Sequence, residues 1–162
     1  MGLKEKIELR KITEKDIPYL YELLTERDSS ITITQKQSPT MIEHVNFVKN
    51  QIASISGDKT KIIQENMDPY NGWYVITSEF DDLGSIWIED DGNIGLQIQK
   101  KFQKIGIGVV AFEIIQKIHK KDRYKTTVSP TNHDSIIFCE KMGFVLDKKN
   151  SDRYIYLKNI NL

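Results

Sequence analysis

Three observations predict an α+β fold for this chain of 162 residues. Apolar residues alternate with polar ones over several short runs, as in half-buried strands. Elsewhere they recur at helical spacing, and Gly, Pro, Asn and Asp separate the two kinds of segment. The resulting order is a strand, two helices, a meander of three strands, then helix, strand, helix and strand.

Residues 7–11 read as the first strand, with Ile7 and Leu9 on one face. Thr13 or Asp16 caps a helix whose Ile17, Leu20 and Leu24 form a stripe, and Pro18 is tolerated because it falls near the start. Ser38 and Pro39 open a second helix, Pro39 suiting the first helical position. Met41, Val45, Val48 and Ile52 repeat along its apolar side. Residues 54–71, polar and holding Gly57, Pro69 and Asn71, read as a flexible loop. The meander takes residues 73–77, 83–88 and 94–98. Its links carry Asp81-Asp82 and Asp90-Asp91-Gly92-Asn93, the second a hairpin signal. A helix over 106–120 follows, with Ile107, Val110 or Ala111, Ile114 and Ile118 in its stripe. A strand over 124–128, a helix over 132–142 and a strand over 153–157 complete the chain. Asn132 suits an N-cap, Gly143 a left-handed C-terminal position, and Phe144 a side chain folded back on the helix. No repeat or low-complexity tract interrupts, so residues 1–162 are read as a single domain.

Composition bounds the function. With 39% hydrophobic and 28% charged residues the chain is ordinary globular material. Lys plus Arg and Asp plus Glu both number 23, so no net field favours nucleic acid or an anionic membrane. Cys139 is the single cysteine, which excludes an internal disulfide and a cysteine-rich zinc site and fits a reducing compartment. Neither a membrane-length apolar run nor the apolar core of a signal peptide is present. A cytoplasmic setting is expected.

The stretch richest in chemistry is Gln103-Lys104-Ile105-Gly106-Ile107-Gly108, between a strand and a helix. A glycine-rich turn that opens a helix presents N–H groups at the positive end of the helix dipole and attracts phosphate. Residues 106–111 spell G-x-G-x-x-A, the dinucleotide fingerprint. Its context is wrong: polar residues 99–104 separate the strand from the first glycine. Thr126 and Thr127 also stand where a ribose-binding acid belongs. The longer window Ile98-x-Lys100-x-Phe102-Gln103-x-x-Gly106-Ile107-Gly108 resembles the signature of the GNAT superfamily of acetyl-CoA-dependent N-acetyltransferases, with its core (Gln/Arg)-x-x-Gly-x-(Gly/Ala). A second block, Asn132-His133-Asp134-Ser135-Ile136-Ile137-Phe138-Cys139-Glu140-Lys141-Met142-Gly143-Phe144, resembles that superfamily's Asn-x-x-(Ala/Ser)-x-x-x-Tyr-Glu-Lys-x-Gly-Phe. It departs at Cys139, where Tyr is usual.

The resemblance implies the GNAT fold, a mixed central sheet of about six to seven strands flanked by four helices. It also implies acetyl-CoA as co-substrate and no metal. Backbone N–H groups of Gln103, Lys104, Ile105, Gly106, Ile107 and Gly108 would receive the pyrophosphate, the glycines keeping the approach clear. The pantetheine arm would pair with strand backbone near Ile98, and Asn132 would touch the arm while capping its helix. Tight helix–strand packing is the alternative reading of the glycines, and capping alone that of Asn132.

Acetyl transfer needs an amine that has lost its proton, donors for the tetrahedral oxyanion and a proton for the departing thiolate. Cys139 is the candidate acid, its alternative being a small buried helix residue, with Tyr154, Tyr156 or water as substitutes. Glu89 is the candidate side-chain base, while Asp90 and Asp91 read as turn residues. Gln97 and Thr127 stand where some relatives have a carboxylate. His44 has a suitable pKa, and Glu43-His44 with Phe47 resembles a segment of GNAT members that acetylate amino-sugar nucleotides. A structural histidine, with a water chain as base, is the alternative. Lys100, Lys101 and Lys104 read as a solvated rim with a minor share in holding CoA phosphates.

The expected function is acetylation of a primary amine of a small molecule, an amino-sugar nucleotide being the favoured acceptor. Acetylation of protein or peptide N-termini is the second reading, and a non-catalytic acyl-CoA-binding module the third. Residues 27–37, the helix bearing His44 and residues 54–71 are expected to wall the acceptor groove. Neither nucleic acid nor membrane is an expected partner, and a homodimer stays open.

Overall fold

The computed structural model describes residues 6–26, 39–57 and 69–160. Strands β1 (Glu8–Lys11), β2 (Tyr70–Thr77), β3 (Asp82–Glu89) and β4 (Ile94–Ile98) form one antiparallel sheet in that order. Strands β5 (Arg123–Val128), β6 (Val145–Lys149) and β7 (Tyr154–Asn159) form a second, with β7 in the middle. Helices α1 (Ile17–Glu26) and α2 (Met41–Ser56) follow β1, α3 (Ile107–Ile118) joins β4 to β5, and α4 (His133–Lys141) joins β5 to β6. The α+β class and the order of elements agree with the sequence reading. The expected mixed sheet of about six to seven strands is met by two antiparallel parts that join at a parallel bridge between Asn93 and Lys125.

Strand alternation divides the first sheet into two faces. Tyr74, Ile76, Ile86, Ile88 and Ile94 lie in the core that α3 fills with Ile107, Ala111, Phe112 and Ile115. Tyr124, Val128 and Tyr156 of the second sheet join the same core, with Cys139 and Phe144. On the opposite face Trp73 and Val75 pack with Ile12, Ile17, Leu20, Leu23 and Val48, which belong to α1, α2 and the segment before them. Before α1, Arg10 donates to both carboxylate oxygens of the buried Asp16 at 3.0 Å.

Several local expectations shift, each for a definable reason. In α2 the inward face carries His44, Val48 and Gln51, whereas Met41 is exposed. Polar groups were hidden there because they find partners, as when Gln51 Oε1 accepts from Tyr70 N at 2.9 Å. The helix starts two positions after Pro39, at Met41, with Thr40 as N-cap accepting from Glu43 N at 3.2 Å and Glu43 answering at Thr40 N at 2.9 Å. In α1 Leu23 rather than Leu24 completes the buried stripe. Ser54 to Ser56 belong to α2, which Gly57 closes at φ 80°, so the first residues of the expected loop are helical. Strand β6 has no buried residue and therefore no alternation to betray it. The end of α4 follows expectation: Gly143 takes φ 86°, and the N–H groups of Phe144 and Gly143 reach Cys139 O at 2.9 Å and Glu140 O at 3.1 Å. Residues 27–37 and Ser38 lie outside the described residues, as do residues 58–68 of the second expected loop. No helix among the described residues is long and apolar enough to cross a membrane.

The reciprocal cap at the start of α2 makes a test. Thr40→Ala is expected to cost about 1 kcal/mol, read as a lower urea midpoint at unchanged m value.

Candidate functional site

Glu89 N donates to Asn93 O at 2.8 Å and Gln99 N to Leu83 O at 2.9 Å, which fixes the register between β3 and β4. Residues 93, 95, 97 and 99 therefore spend their backbone groups on β3. Those of Ile94, Leu96 and Ile98 point the other way, towards β5. On β5 the residues that turn towards β4 are Lys125, Thr127 and Ser129, since Lys125 N donates to Gly92 O at 3.0 Å. The strands touch at the Asn93–Lys125 bridge and, one step on, where Thr126 Oγ1 donates to Ile94 O at 3.3 Å. Beyond that they part. The opening is a groove of about 1270 Å³ running between the two sheets.

One end of the groove lies under the first turn of α3. Gly106 is the N-cap at φ 89°, and Lys104 also takes a positive φ, 65°. These left-handed residues fold 103–108 into a tight turn whose N–H groups collect at the helix start. Helix geometry leaves the N–H groups of Ile107, Gly108 and Val109 without intrahelical acceptors. Gln103, Lys104, Gly106, Ile107, Gly108 and Ile98 all border the groove; Ile105 is exposed but does not. The Gln103 side chain turns back, Nε2 donating to Ile98 O at 2.9 Å, so it braces the turn and leaves the Ile98 N–H facing the gap. Across the groove Asn132 caps α4, its Oδ1 accepting from Ser135 N at 3.2 Å. That orientation frees the Asn132 amide nitrogen at the groove wall.

The two glycines of the turn have different reasons. At Gly106 the positive φ requires glycine. At Gly108 an added Cβ would stand 3.1 Å from Leu96 Cδ2 and 3.3 Å from Phe138 Cε2. Glycine there allows α3 to seat against β4 and α4, which is the packing alternative rather than clearance for a ligand.

The other end opens on the face covered by α1 and α2. Trp87 and Glu89 of β3, Asn93 just before β4, Gly95 and Gln97 of β4, and Lys125 and Thr127 of β5 line it together with Phe47, Tyr70 and Glu26. Glu89 accepts from the Asn93 amide, and Thr127 Oγ1 lies 3.5 Å from Asn93 Oδ1. Gln97 spends its amide on Leu23 O. Asp91 is a turn residue as expected, accepting from Asn93 N at 3.0 Å, and it pairs with Lys125 at 2.6 Å. Sequence reasoning missed Asn93, Trp87 and Tyr70 as site residues. The signal for Trp87 was its alternation with Glu89 in the β3 run.

Cys139 borders the groove but is only 2% exposed. Burial, with a smaller push from the Glu140 carboxylate, lifts its thiol to about 12. Tyr156 is buried and Tyr154 half-buried, and neither borders the groove among its described residues. Lys104 forms an open surface pair with Asp134 at 3.6 Å.

His44 lies elsewhere. It is 2% exposed between α1 and α2, with Nε2 3.2 Å from Ile17 O and its ring 5.3 Å from that of Tyr21. It does not line the groove. Among the described residues this placement favours the structural reading of His44 over that of a base.

No protein-family model and no curated sequence matches the chain. Solved structures do. RimL, the ribosomal L7/L12 alpha-N-protein acetyltransferase in complex with coenzyme A, superposes with TM-score 0.71 at 17% identity, over 99% of this chain and 97% of its own. MccE, the microcin C7 self-immunity acetyltransferase in complex with acetyl-CoA and AMP, gives 0.72 at 17% identity over 96% and 93%. A GNAT-family acetyltransferase from Streptococcus pneumoniae gives 0.63 at 17% identity over 95% and 99%. The chain has the GNAT fold, its sheet parted between β4 and β5.

Two outcomes follow from this placement. Gly108→Val is expected to lower stability, because the larger side chain presses α3 away from Leu96 and Phe138; unfolding midpoints read the loss. For His44, burial holds the folded pKa below its ordinary 6.5, and His119 behaves alike. The unfolded chain therefore takes up these protons first. Their contribution is full above pH 6.5 and is lost as pH falls below it. Urea midpoints of wild type are expected to drop through that range, and His44→Gln to flatten the slope.

Proposed function

We propose that this chain transfers an acetyl group from acetyl-CoA to a primary amine. The observation that carries the reading is the parting of β4 from β5. It leaves strand backbone groups facing a groove that ends under the N–H cluster of α3. A ligand with a peptide-like arm and a pyrophosphate at one end matches both features. The turn at 103–108 receives the pyrophosphate, with Lys104 at the rim. The backbone of Leu96 and Ile98 pairs with the arm, and the Asn132 amide donates from the opposite wall. When bound, acetyl-CoA supplies a thioester carbonyl open to attack by an amine. N–H groups along the β4 edge are the donors available to the tetrahedral oxyanion.

Glu89 is the side-chain base that this arrangement supports, acting on the amine directly or through one water and held by the Asn93 amide. Cys139 supports packing better than acid catalysis. Burial pushes its thiol up to about 12, well above the ~8.5 of an ordinary thiol, so handing its proton to a CoA thiolate runs uphill. Water at the open groove is the better donor. The free, buried Cys139 is compatible with a reducing, cytoplasmic setting.

A small-molecule amine is the favoured acceptor, but an amino-sugar nucleotide draws less support than the sequence suggested. Of the residues that carried that likeness, Glu43 caps α2 and His44 packs under α1. A second reading, acetylation of a protein N-terminus, is favoured by the likeness to RimL, which acetylates ribosomal L7/L12.

Calorimetric CoA binding, followed by acetyl-CoA turnover on polyamines, arylalkylamines, nucleotide-linked amino sugars and peptides, tests the proposal. CoA binding with turnover of small amines above peptides is expected. Binding without any turnover would make the chain an acyl-CoA-binding module. Cys139→Ala is expected to keep kcat within about threefold while losing stability, as a buried side chain trimmed from a core does. A fall of ~10²-fold, with loss of the alkaline limb of the pH profile, would restore the acid role.

A further inference from the structure

The acceptor end of the groove is built from flat rings. Tyr70 and Trp87 stack at 5.8 Å with planes 10° apart, and Phe47 meets Tyr70 edge-on at 5.9 Å. Trp73 sits behind them, 5.3 Å from Tyr70 and 6.2 Å from Trp87. Trp73 is buried and spends its indole N–H on Ser85 Oγ at 2.7 Å, so it serves the core. Trp87 is only half-buried and reaches the groove.

Gly95 explains how. It is the cross-strand partner of Trp87, and a Cβ built on it would stand 2.0 Å from indole Cε2 and Cζ2. The indole thus lies across β4 in the space where a side chain at 95 would go. This carries its edge to the line along which β4 and β5 part. Among the described residues Glu89, Asp91 and Lys125 line this end, Lys125 paired with Asp91 at 2.6 Å, and Glu26 borders the groove too, accepting from Lys100 N.

We infer that Trp87, seated on Gly95 and backed by Tyr70, is the specificity platform of the acceptor site, and that it selects cationic primary amines carried on a planar aromatic body. The inference rests on the acetyltransferase reading above and names its acceptor class. An aromatic body gains offset or edge contacts with the indole that a saturated chain of equal size does not. A cationic amine is favoured over an anionic molecule by the Glu89 carboxylate, which lines this end beside the indole. The amine then lies beside Glu89.

The test is a matched series: 2-phenylethylamine, tryptamine, the carbon-matched n-octylamine, uncharged 2-phenylethanol and a nucleotide-linked amino sugar. Affinities are taken by calorimetry with and without CoA, and kcat/KM by turnover. The aromatic amines are expected to bind roughly 3- to 10-fold more tightly than n-octylamine, and more tightly than 2-phenylethanol or the amino-sugar nucleotide. Trp87→Ala is expected to erase the aromatic preference and Trp87→Phe to keep part of it, both at unchanged CoA affinity. Gly95→Ala is expected to act like Trp87→Ala although the indole is intact, because the new methyl group displaces it. Equal binding of aromatic and straight-chain amines, tighter binding of the anionic acceptor, or a preference that survives Trp87→Ala would overturn the platform. Aromatic amines that bind but are never acetylated would instead sink the acetyltransferase reading and leave the platform standing.

Discussion

The parallel bridge between Asn93 and Lys125 holds the two sheets together at one end and lets them diverge at the other. Had the ladder continued, Leu96 and Ile98 would have spent their outward backbone groups on the residues around Thr127 and Ser129. Backbone N–H and C=O groups in a protein interior must find partners. A gap edged with them is therefore stable only if water or a polar ligand enters. What keeps the gap open is the packing at its far end. The first turn of α3 sits so close to Leu96 and Phe138 that even a methyl group on Gly108 would press on both. The divergence of the strands, the seat of α3 and the hydrogen-bonding character of the groove are thus one arrangement.

Its two ends are chemically unlike, and strand alternation is the cause. Successive residues of β3 and β4 face opposite sides of the sheet. Ile86, Ile88, Ile94 and Leu96 therefore go to α3 and the main core. Trp87, Glu89, Asn93, Gly95 and Gln97 go to the side of α1 and α2. The groove crosses the sheet between β4 and β5, so it meets N–H donors on one face and rings and carboxylates on the other. This polarity suits the two-substrate transfer proposed above, in which the phosphate end and the amine end approach from opposite faces.

Much of this was legible from local signals. The meander, the Asp90-Asp91-Gly92-Asn93 hairpin, the Asn132 cap and the Gly143 stop rest on turn and cap chemistry that neighbouring residues decide. Gly106 belongs with them, since its positive φ is a property of the turn itself. What escaped were features set by distant partners. His44 read as a base from its intrinsic pKa, yet α1 closes over it and Ile17 O takes its ring nitrogen. Gly108 read as clearance for phosphate, yet its neighbours are side chains of β4 and α4. The Thr40-x-x-Glu43 cap could have been read, and Pro39 distracted from it.

By itself the sequence determined the element order, the helix start at Gly106 and the motifs whose spacing resembles the GNAT signature. These depend on residues a few positions apart, where propensity and hydrogen-bond reach suffice. Only the tertiary structure decided that the sheet divides, that Trp87 lies over Gly95, that Glu89 meets Asn93 at the groove and that Cys139 sits in the core. Each of these depends on which strand edge goes unpaired and which side chain fills the space beside it. Such choices are made by packing between residues far apart in the chain, and no local pattern encodes them.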